Sequence, residues 1–387
     1  MKNRFNAFLF LFIAIAMAGI FTGCSDDDDN GPNGGKPMIS YIRVTRPEAS
    51  DSLIAKAGQG SMIAIIGQNL NGARELWFND QQAGLNPAYI TSTSIITRVP
   101  ANIPIDITNK MKLIFANGDS LLYDFTVDIS EPLLTGMLSE YVGTGEVATI
   151  VGDFFYAPLT VTFTGGVEGE VVSVEDDMIK VKVPEGAEPG TITVTTSFGE
   201  TESNFWFRDN RNIIASFDGT TTGLWHGPNF IKASDPEIKN INNNFLRFNQ
   251  ALAEGAWAEF YVGPVNSDIA KETKNIPAAA LENPADYVLK FEINTLAPLT
   301  GAAIKMYMGV GDMGTERNTI FYTWKPNIHT EGAWETVSIP FEEFYTANKE
   351  FPYRADGYGA SFFFSDGAKV TANIAIDNMR VVPIRAN

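Results

Sequence analysis

Short runs rich in Val, Ile, Thr and Phe recur along the chain, and Gly, Pro, Asn and Asp interrupt them. That pattern predicts strands, because β-branched and aromatic side chains suit a pleated surface and the interrupting residues suit turns. Strands are expected at Ser61–Ile66, Lys112–Phe115, Thr160–Phe163, Ile179–Val183 and Thr191–Thr195. In Ile179-Lys-Val-Lys-Val183 apolar and charged residues alternate strictly, as in a strand with one face in water. Only Asn266–Lys274 and Phe341–Thr346 read as short helices.

The pattern repeats. Gly60-Ser-Met-Ile-Ala-Ile-Ile-Gly67 matches Gly145-Glu-Val-Ala-Thr-Ile-Val-Gly152, and Val99-Pro100 matches Val183-Pro184. The offset is 85 residues for the glycines and 84 for the Val-Pro pairs. Further on, Asn117-Gly118 and Tyr123-Asp-Phe125 correspond to Phe198-Gly199 and Asn204-Phe-Trp206. Landmarks in the same order at nearly constant spacing indicate duplicated units of about the size of a small immunoglobulin-like sandwich. A glycine-terminated strand, a later Val-Pro and a closing strand after Gly resemble IPT/TIG domains, which act most often as rigid spacers. Trp77 and Trp206 read as core or junction residues of these copies.

After Asp209-Asn-Arg211 the repeat stops and aromatics become denser, with four of the six tryptophans: Trp225, Trp257, Trp324 and Trp334. Ile214-Ala-Ser-Phe-Asp218 reads as a first strand and Ile374-Ala-Ile-Asp-Asn-Met-Arg-Val-Val382 as a last one. Gly332-Ala-Trp334-Glu-Thr-Val-Ser-Ile-Pro340 is similar to a strand common in carbohydrate-binding sandwiches, where the tryptophan is structural. The fold class is therefore all-β: two immunoglobulin-like (IPT/TIG) sandwiches at 38–129 and 130–209, then a larger sandwich at 210–387 resembling carbohydrate-binding modules.

Candidate contact residues follow from strand geometry. In Phe321-Tyr-Thr-Trp-Lys-Pro326, Tyr322 and Trp324 are two apart and share a face, a platform suited to the apolar face of a pyranose. Trp225 lies in the turn-rich Gly223-Leu-Trp-His-Gly-Pro228, where a large ring tends to meet solvent or ligand. In Gly255-Ala-Trp-Ala-Glu-Phe-Tyr261, Trp257, Glu259 and Tyr261 alternate onto one face, placing a carboxylate between two rings. Tyr353 and Tyr358 are further rim candidates. Asp218 and Asp377 read as turn and strand-end caps, although oxygen donors of this type also suit calcium. No cofactor is called for, and no metal site is assigned.

The first residues carry an address. Lys2 and Arg4 precede an apolar run, Ala7–Phe21, followed by Thr22, Gly23 and the sole cysteine, Cys24. The run is shorter than the roughly 20 residues needed to span a bilayer. The arrangement is that of a secretory leader and resembles a lipoprotein signal with Cys24 as lipid acceptor, although Phe21 stands where leucine is usual. Residues 1–23 are then the leader and 24–37 an acidic, Gly-rich tether. The run Asp26–Asp29 resembles the signal that moves Bacteroidetes lipoproteins to the outer face of the outer membrane.

Composition narrows the partners. The net charge of -18 becomes -20 once Lys2 and Arg4 leave with the leader. Such acidity disfavours nucleic acid and acidic polysaccharides, because phosphate binding needs clustered Lys and Arg. One cysteine and two histidines, His226 and His329, leave little for thiolate or imidazole metal sites or a serine triad. No local sequence marks the pair of carboxylates a glycosidase needs, and no phosphate loop or nucleophile elbow is present.

The whole order of anchor, acidic address, two spacers and an aromatic-rich sandwich resembles Bacteroidetes surface glycan-binding proteins. The resemblance implies a non-enzymatic lipoprotein that holds a neutral β-linked plant polysaccharide, of xyloglucan, β-glucan or mannan type, for an outer-membrane uptake transporter. It also implies that Tyr322 and Trp324 carry the ligand. The alternative is a protein-binding adhesin or scaffold with the same sandwiches.

Overall fold

The computed structural model describes residues 35–46, 48, 51–218, 230–263 and 274–385. The chain is all-β in two compact units that meet in sequence between Ile129 and Ser130. Among the described residues no helix is long and apolar enough to cross a membrane.

The first unit contains β1 (Met38–Val44), β2 (Lys56–Gly58), β3 (Met62–Gln68), β4 (Ala73–Phe78), β5 (Gln81–Ala83), β6 (Ser94–Arg98), β7 (Lys110–Phe115), β8 (Ser120–Asp124) and β9 (Thr126–Asp128). They form two sheets, β1-β3-β6 and β5-β4-β7-β8, with β2 parallel to β9. Ile42, Ile63, Ile65, Leu76, Phe78, Leu113 and Phe125 fill the space between the sheets.

The second unit opens with the other copy of the repeat: β10 (Leu133–Met137), β11 (Val147–Asp153), β12 (Leu159–Phe163), β13 (Val167–Glu168), β14 (Glu170–Glu175), β15 (Met178–Lys182), β16 (Ile192–Thr196) and β17 (Gly199–Glu202). Its sheets are β10-β11-β15-β14 and β13-β12-β16-β17. The repeated landmarks have one physical cause. A Cβ on Gly67 would lie 2.0 Å from the Met38 carbonyl oxygen, and one on Gly152 would lie 1.8 Å from that of Leu133. In both copies the first strand shifts register beside that glycine, between Ile39 and Tyr41 and between Leu134 and Gly136. The Val-Pro valines, Val99 and Val183, are buried, and each exchanges backbone hydrogen bonds with the start of the glycine-bounded strand.

The rest of the unit is a larger sandwich. Its strands are β18 (Ile213–Ala215), β19 (Ile231–Lys232), β20 (Phe245–Leu252), β21 (Ala258–Gly263), β22 (Tyr287–Thr295), β23 (Ile304–Gly309), β24 (Tyr322–Trp324), β25 (Trp334–Pro340), β26 (Gly359–Phe364) and β27 (Val370–Pro383). Among the described residues its short helices are α1 (Ala278–Glu282), α2 (Met313–Glu316) and α3 (Phe341–Ala347). One sheet runs β19-β20-β27-β22-β25, with β18 also on β27, and the other runs β21-β26-β23-β24. Phe248, Phe260, Phe291, Met306, Phe362, Phe364 and Ile374 lie in the core between them. Helix α3 covers the stretch predicted at Phe341–Thr346, with Phe341 and Phe344 turned into that core. Most of Asn266–Lys274 lies outside the described residues.

Strand β27 is the predicted last strand; it is buried on both faces, and its alternation slips between Ile376 and Met379, where its ladder with β22 shifts register. Ile374, Ile376, Met379 and Val381 point into the sandwich core. On the other face the second immunoglobulin-like copy supplies partners for polar residues. Arg380, with no exposed surface, donates to Glu292 Oε2 at 2.8 Å and Oε1 at 3.0 Å, and to Glu140 Oε2 at 2.5 Å. Lys290 pairs with the other oxygen of Glu140. The Tyr141 ring lies 5.2 Å from the Arg380 guanidinium, and its hydroxyl donates to the Asp209 carbonyl at 2.7 Å. The Thr336 N–H donates to the Leu138 carbonyl at 2.7 Å, and Thr336 Oγ1 accepts from the Glu140 N–H at 2.8 Å. Burial raises the carboxyl of Glu292, and Arg380 opposes that shift. Asp377, also fully buried on β27, is pushed up to about 9 by burial first, with Glu292 and Asp218 adding to the effect.

Candidate functional site

The four-stranded sheet of the larger sandwich turns one face to the core and the other outward. Across its strands Glu259, Phe363, Lys305 and Thr323 lie in register, as do Val262, Ser361 and Tyr307. The intervening rows, Ala258–Phe364–Ile304–Trp324 and Tyr261–Phe362–Met306–Tyr322, face the core.

Trp257 stands at the entrance to β21 with 51% of its surface exposed. Its ring centroid lies 5.9 Å from that of Phe363, tilted by 41°. The Arg317 guanidinium lies 5.7 Å from the indole centroid, within cation–π range. Arg317 caps α2 and is itself held in place: it donates to Ser361 Oγ at 3.2 Å and pairs with Glu259. Ser361 Oγ also donates to Glu259 Oε1 at 2.6 Å. On the same face Lys305 Nζ sits 4.3 Å from the Phe321 ring centroid and 2.5 Å from Asp366 Oδ2. The hydrogen bond from Lys305 is the first cause that holds the exposed Asp366 carboxyl below the usual range. The face therefore carries two rings with cations beside them, Trp257 and Phe321. A backing ring, Phe363, is nearly buried, and each cation has its own carboxylate.

The predicted residues divide between the faces. Trp257 is exposed on the outer side, where the sequence pattern put it. Glu259 shares that side, but its carboxylate is buried beneath Arg317 and Ser361 rather than standing open between two rings. Tyr261 departs from the expected alternation. The ladder shifts register between Glu259 and Tyr261, so Tyr261 joins Phe260 in the core and stacks on Phe362 at 4.9 Å. Tyr322 and Trp324 do share a face, and it is the core side of an edge strand. Both rings are half-buried. Trp324 meets Phe291 edge-on at 5.2 Å, and Tyr322 packs near Phe344 at 6.2 Å, so each ring leans on a core aromatic rather than on the other. Tyr358 is fully buried, whereas Tyr353 is 52% exposed. Trp225 and Cys24 lie outside the described residues.

Sequence reasoning passed over Phe321, Phe363, Arg317 and Lys305. Phe321 is next to Tyr322 and falls on the opposite face by alternation alone. Phe363 was hidden in Ser361-Phe-Phe-Phe364, where core and outer positions are both aromatic and the period-two signal vanishes. Arg317 comes from a helical turn whose position no local pattern reveals.

A second kind of concavity occurs beside the seam with the immunoglobulin-like copy. A cleft of about 330 Å³ is lined by Tyr141, Glu146, Val147, Ile241 and Trp334 among others. The Trp334 indole N–H donates to the Lys239 carbonyl at 2.7 Å and its ring meets Phe245 edge-on, which makes it a structural side chain with one open flank.

Residues 207–383 match the family model described as the surface glycan-binding protein B xyloglucan binding domain. An IPT/TIG domain-containing protein of Bacteroides ovatus is 32% identical over 139 residues. That match covers 34% of this chain and 27% of the relative, so the chain spans about a quarter of the relative's length. The crystal structure of the surface glycan-binding protein PbSGBP-B from Prevotella bryantii shares the fold at a TM-score of 0.69 and 24% identity, covering 91% of this chain and all of that one. The larger sandwich is thus similar to the surface glycan-binding protein B xyloglucan-binding domain, in a chain that shares its fold with PbSGBP-B.

Proposed function

We propose that the protein is a non-catalytic receptor on the cell surface for a neutral, β-linked plant polysaccharide, xyloglucan before β-glucan or mannan. The observation that carries this reading is the outer face around Trp257. An exposed indole is braced from below by Phe363 and from the side by Arg317, and a second ring, Phe321, lies on the same sheet. Rings of this kind offer apolar area at little entropic cost to the C–H face of a sugar, while ring edges and neighbouring polar groups select its hydroxyls. The two cations of the face are neutralised by Glu259 and Asp366, which favours an uncharged ligand. The family match over the same sandwich supports the choice of xyloglucan. Tyr322 and Trp324, half-exposed at the sheet edge, would extend the contact rather than form its centre.

An open site of this kind binds weakly, roughly micromolar to millimolar. Many receptors on one cell and many repeats on one polymer raise the effective affinity. Lipidation at Cys24, display on the outer membrane by the Asp26–Asp29 run, and delivery to an uptake transporter complete the proposal. Catalysis is disfavoured by the state of Glu259. Its carboxylate is buried and tied to Arg317 and Ser361, whereas a glycosidase needs a carboxylate open to the scissile bond.

Affinity electrophoresis of the chain, with Cys24 removed, through gels containing neutral and acidic polysaccharides tests the reading. Retardation by xyloglucan or a related neutral β-glycan, abolished by Trp257→Ala, is the expected result. Free migration of folded protein through every gel would favour the adhesin or scaffold alternative. Reducing ends released during a clean incubation would point to a hydrolase.

A further inference from the structure

Asp377 lies in β27 with none of its surface exposed. Its Oδ1 accepts the N–H of Asn378 at 2.8 Å, while its Oδ2 is buried with no hydrogen-bond partner among the described residues. A buried carboxylate oxygen without a partner is among the most costly groups a protein interior can hold.

Three segments converge beside it. Strand β18 runs antiparallel to β27 with Ala215 opposite Met379, which brings the residues after β18 to the level of Asp377. Asp218, half-buried, accepts the Asn244 N–H at 2.7 Å, and its charge reaches Asp377. Asn244 in turn donates from its side chain to the Phe217 carbonyl at 3.2 Å. Asn242 and Asn378 exchange side-chain hydrogen bonds, each 3.1 Å long. The ladder between β22 and β27 shifts register here, and Asn378 takes a φ of 49°.

The cations nearby are already committed. Arg380 and Lys290 are paired with Glu292 and Glu140. Asp218 and Asp377 make no ion pair among the described residues, although the charge of Arg380 reaches Asp377. We infer that Asp218 and Asp377 hold a divalent cation, calcium, that ties the start of the larger sandwich and the 242–244 turn to its last strand. Carboxylate and amide oxygens are hard donors, and calcium tolerates the irregular, partly carbonyl shell such a place offers, whereas magnesium demands near-octahedral geometry. No set of three carboxylate, imidazole or thiol side chains gathers as a metal site among the described residues. Backbone and amide oxygens and water would therefore complete the shell. The inference is independent of the glycan site, which lies on the other sheet.

The test is thermal unfolding of the full chain, stripped with EDTA and then compared in EDTA and in millimolar calcium chloride, with calcium titrations by calorimetry. Wild-type protein should gain roughly 5 °C or more in calcium. Asp377→Asn and Asp218→Asn should each abolish both the gain and the heat of binding. Identical midpoints for the wild type in calcium and EDTA, with Asp377→Asn at least as stable, would overturn the inference and assign a proton to Asp377. A calcium response that survives both substitutions would overturn it as well, placing the ion elsewhere. If Asp377→Asn does not fold, Asp218→Asn decides alone, since that side chain is only half-buried.

Discussion

Two tryptophans of the larger sandwich separate what a ring can do on the two faces of one sheet. Trp257 is half in water and touches Phe363 and Arg317, so its removal takes away contact surface but little core. Trp257→Ala is expected to weaken glycan retention at least tenfold while shifting the thermal midpoint by no more than about 2 °C; gel retardation and a melting curve check both. Trp324 leans edge-on against Phe291 in the core. Trp324→Ala should cost about 2 kcal/mol in urea unfolding, at the low end for a large-to-small core change because the ring is half-buried. The sequence put Tyr322 and Trp324 forward as the ligand platform, ahead of Trp257. Alternation showed that Tyr322 and Trp324 share a face, but nothing local says which face looks inward. That choice is set by the partner strand, where Ile304 and Met306 are core residues. Glu259 lies on the expected face, and its burial escaped the sequence for a related reason. Its ion pair with Arg317 joins residues 58 positions apart, and no short-range pattern carries such a contact.

At the scale of the element, the repeat was the most legible feature because one steric demand writes it. Where β3 and β11 pass the first strand of their sheets, a carbonyl oxygen occupies the space a side chain would need, so Gly67 and Gly152 recur at the same point. Gly67→Ala and Gly152→Ala should each destabilise their own sandwich by about 2 kcal/mol or more, read as a lowered urea midpoint with the slope unchanged. The buried Val99 and Val183, each bonded back to the start of that strand, explain why the Val-Pro pairs keep the same spacing. Register shifts were not legible. The one between Glu259 and Tyr261 moves Tyr261 from the outer face to the core, and only the pairing with β26 reveals it.

At the scale of the molecule, the sequence announced that β27 would be a core strand and gave no sign that its second face would be covered. Asp377 reads as a strand-end cap from the sequence, whereas in the structure Glu140 and Tyr141 of the preceding sandwich close over Arg380 on that face. Removing one partner from such a buried network strands the others. Arg380→Met should therefore cost about 3–5 kcal/mol. It should also split a shared unfolding transition into two, one for residues 130–209 and one for the larger sandwich. Differential scanning calorimetry distinguishes a split from a uniform shift. Replacement of Glu140 by Gln, which keeps a hydrogen-bonding oxygen, should have a smaller effect.

The Arg380 network also bears on how the protein carries load. On the proposed function, a polymer gripped at Trp257 and hauled toward the cell would pull on the larger sandwich, and that pull would cross the seam to reach residues 130–209. Contacts made of oily side chains slide and re-form, so they creep under tension. A guanidinium clasped by two carboxylates has no intermediate position, because moving it by the width of a water molecule exposes all three charges at once. The seam should therefore behave as a brittle joint, stiff up to a threshold and then parting in a single step. A steady tug on the polysaccharide would accordingly release sugar from the ring face before it bends the protein beneath.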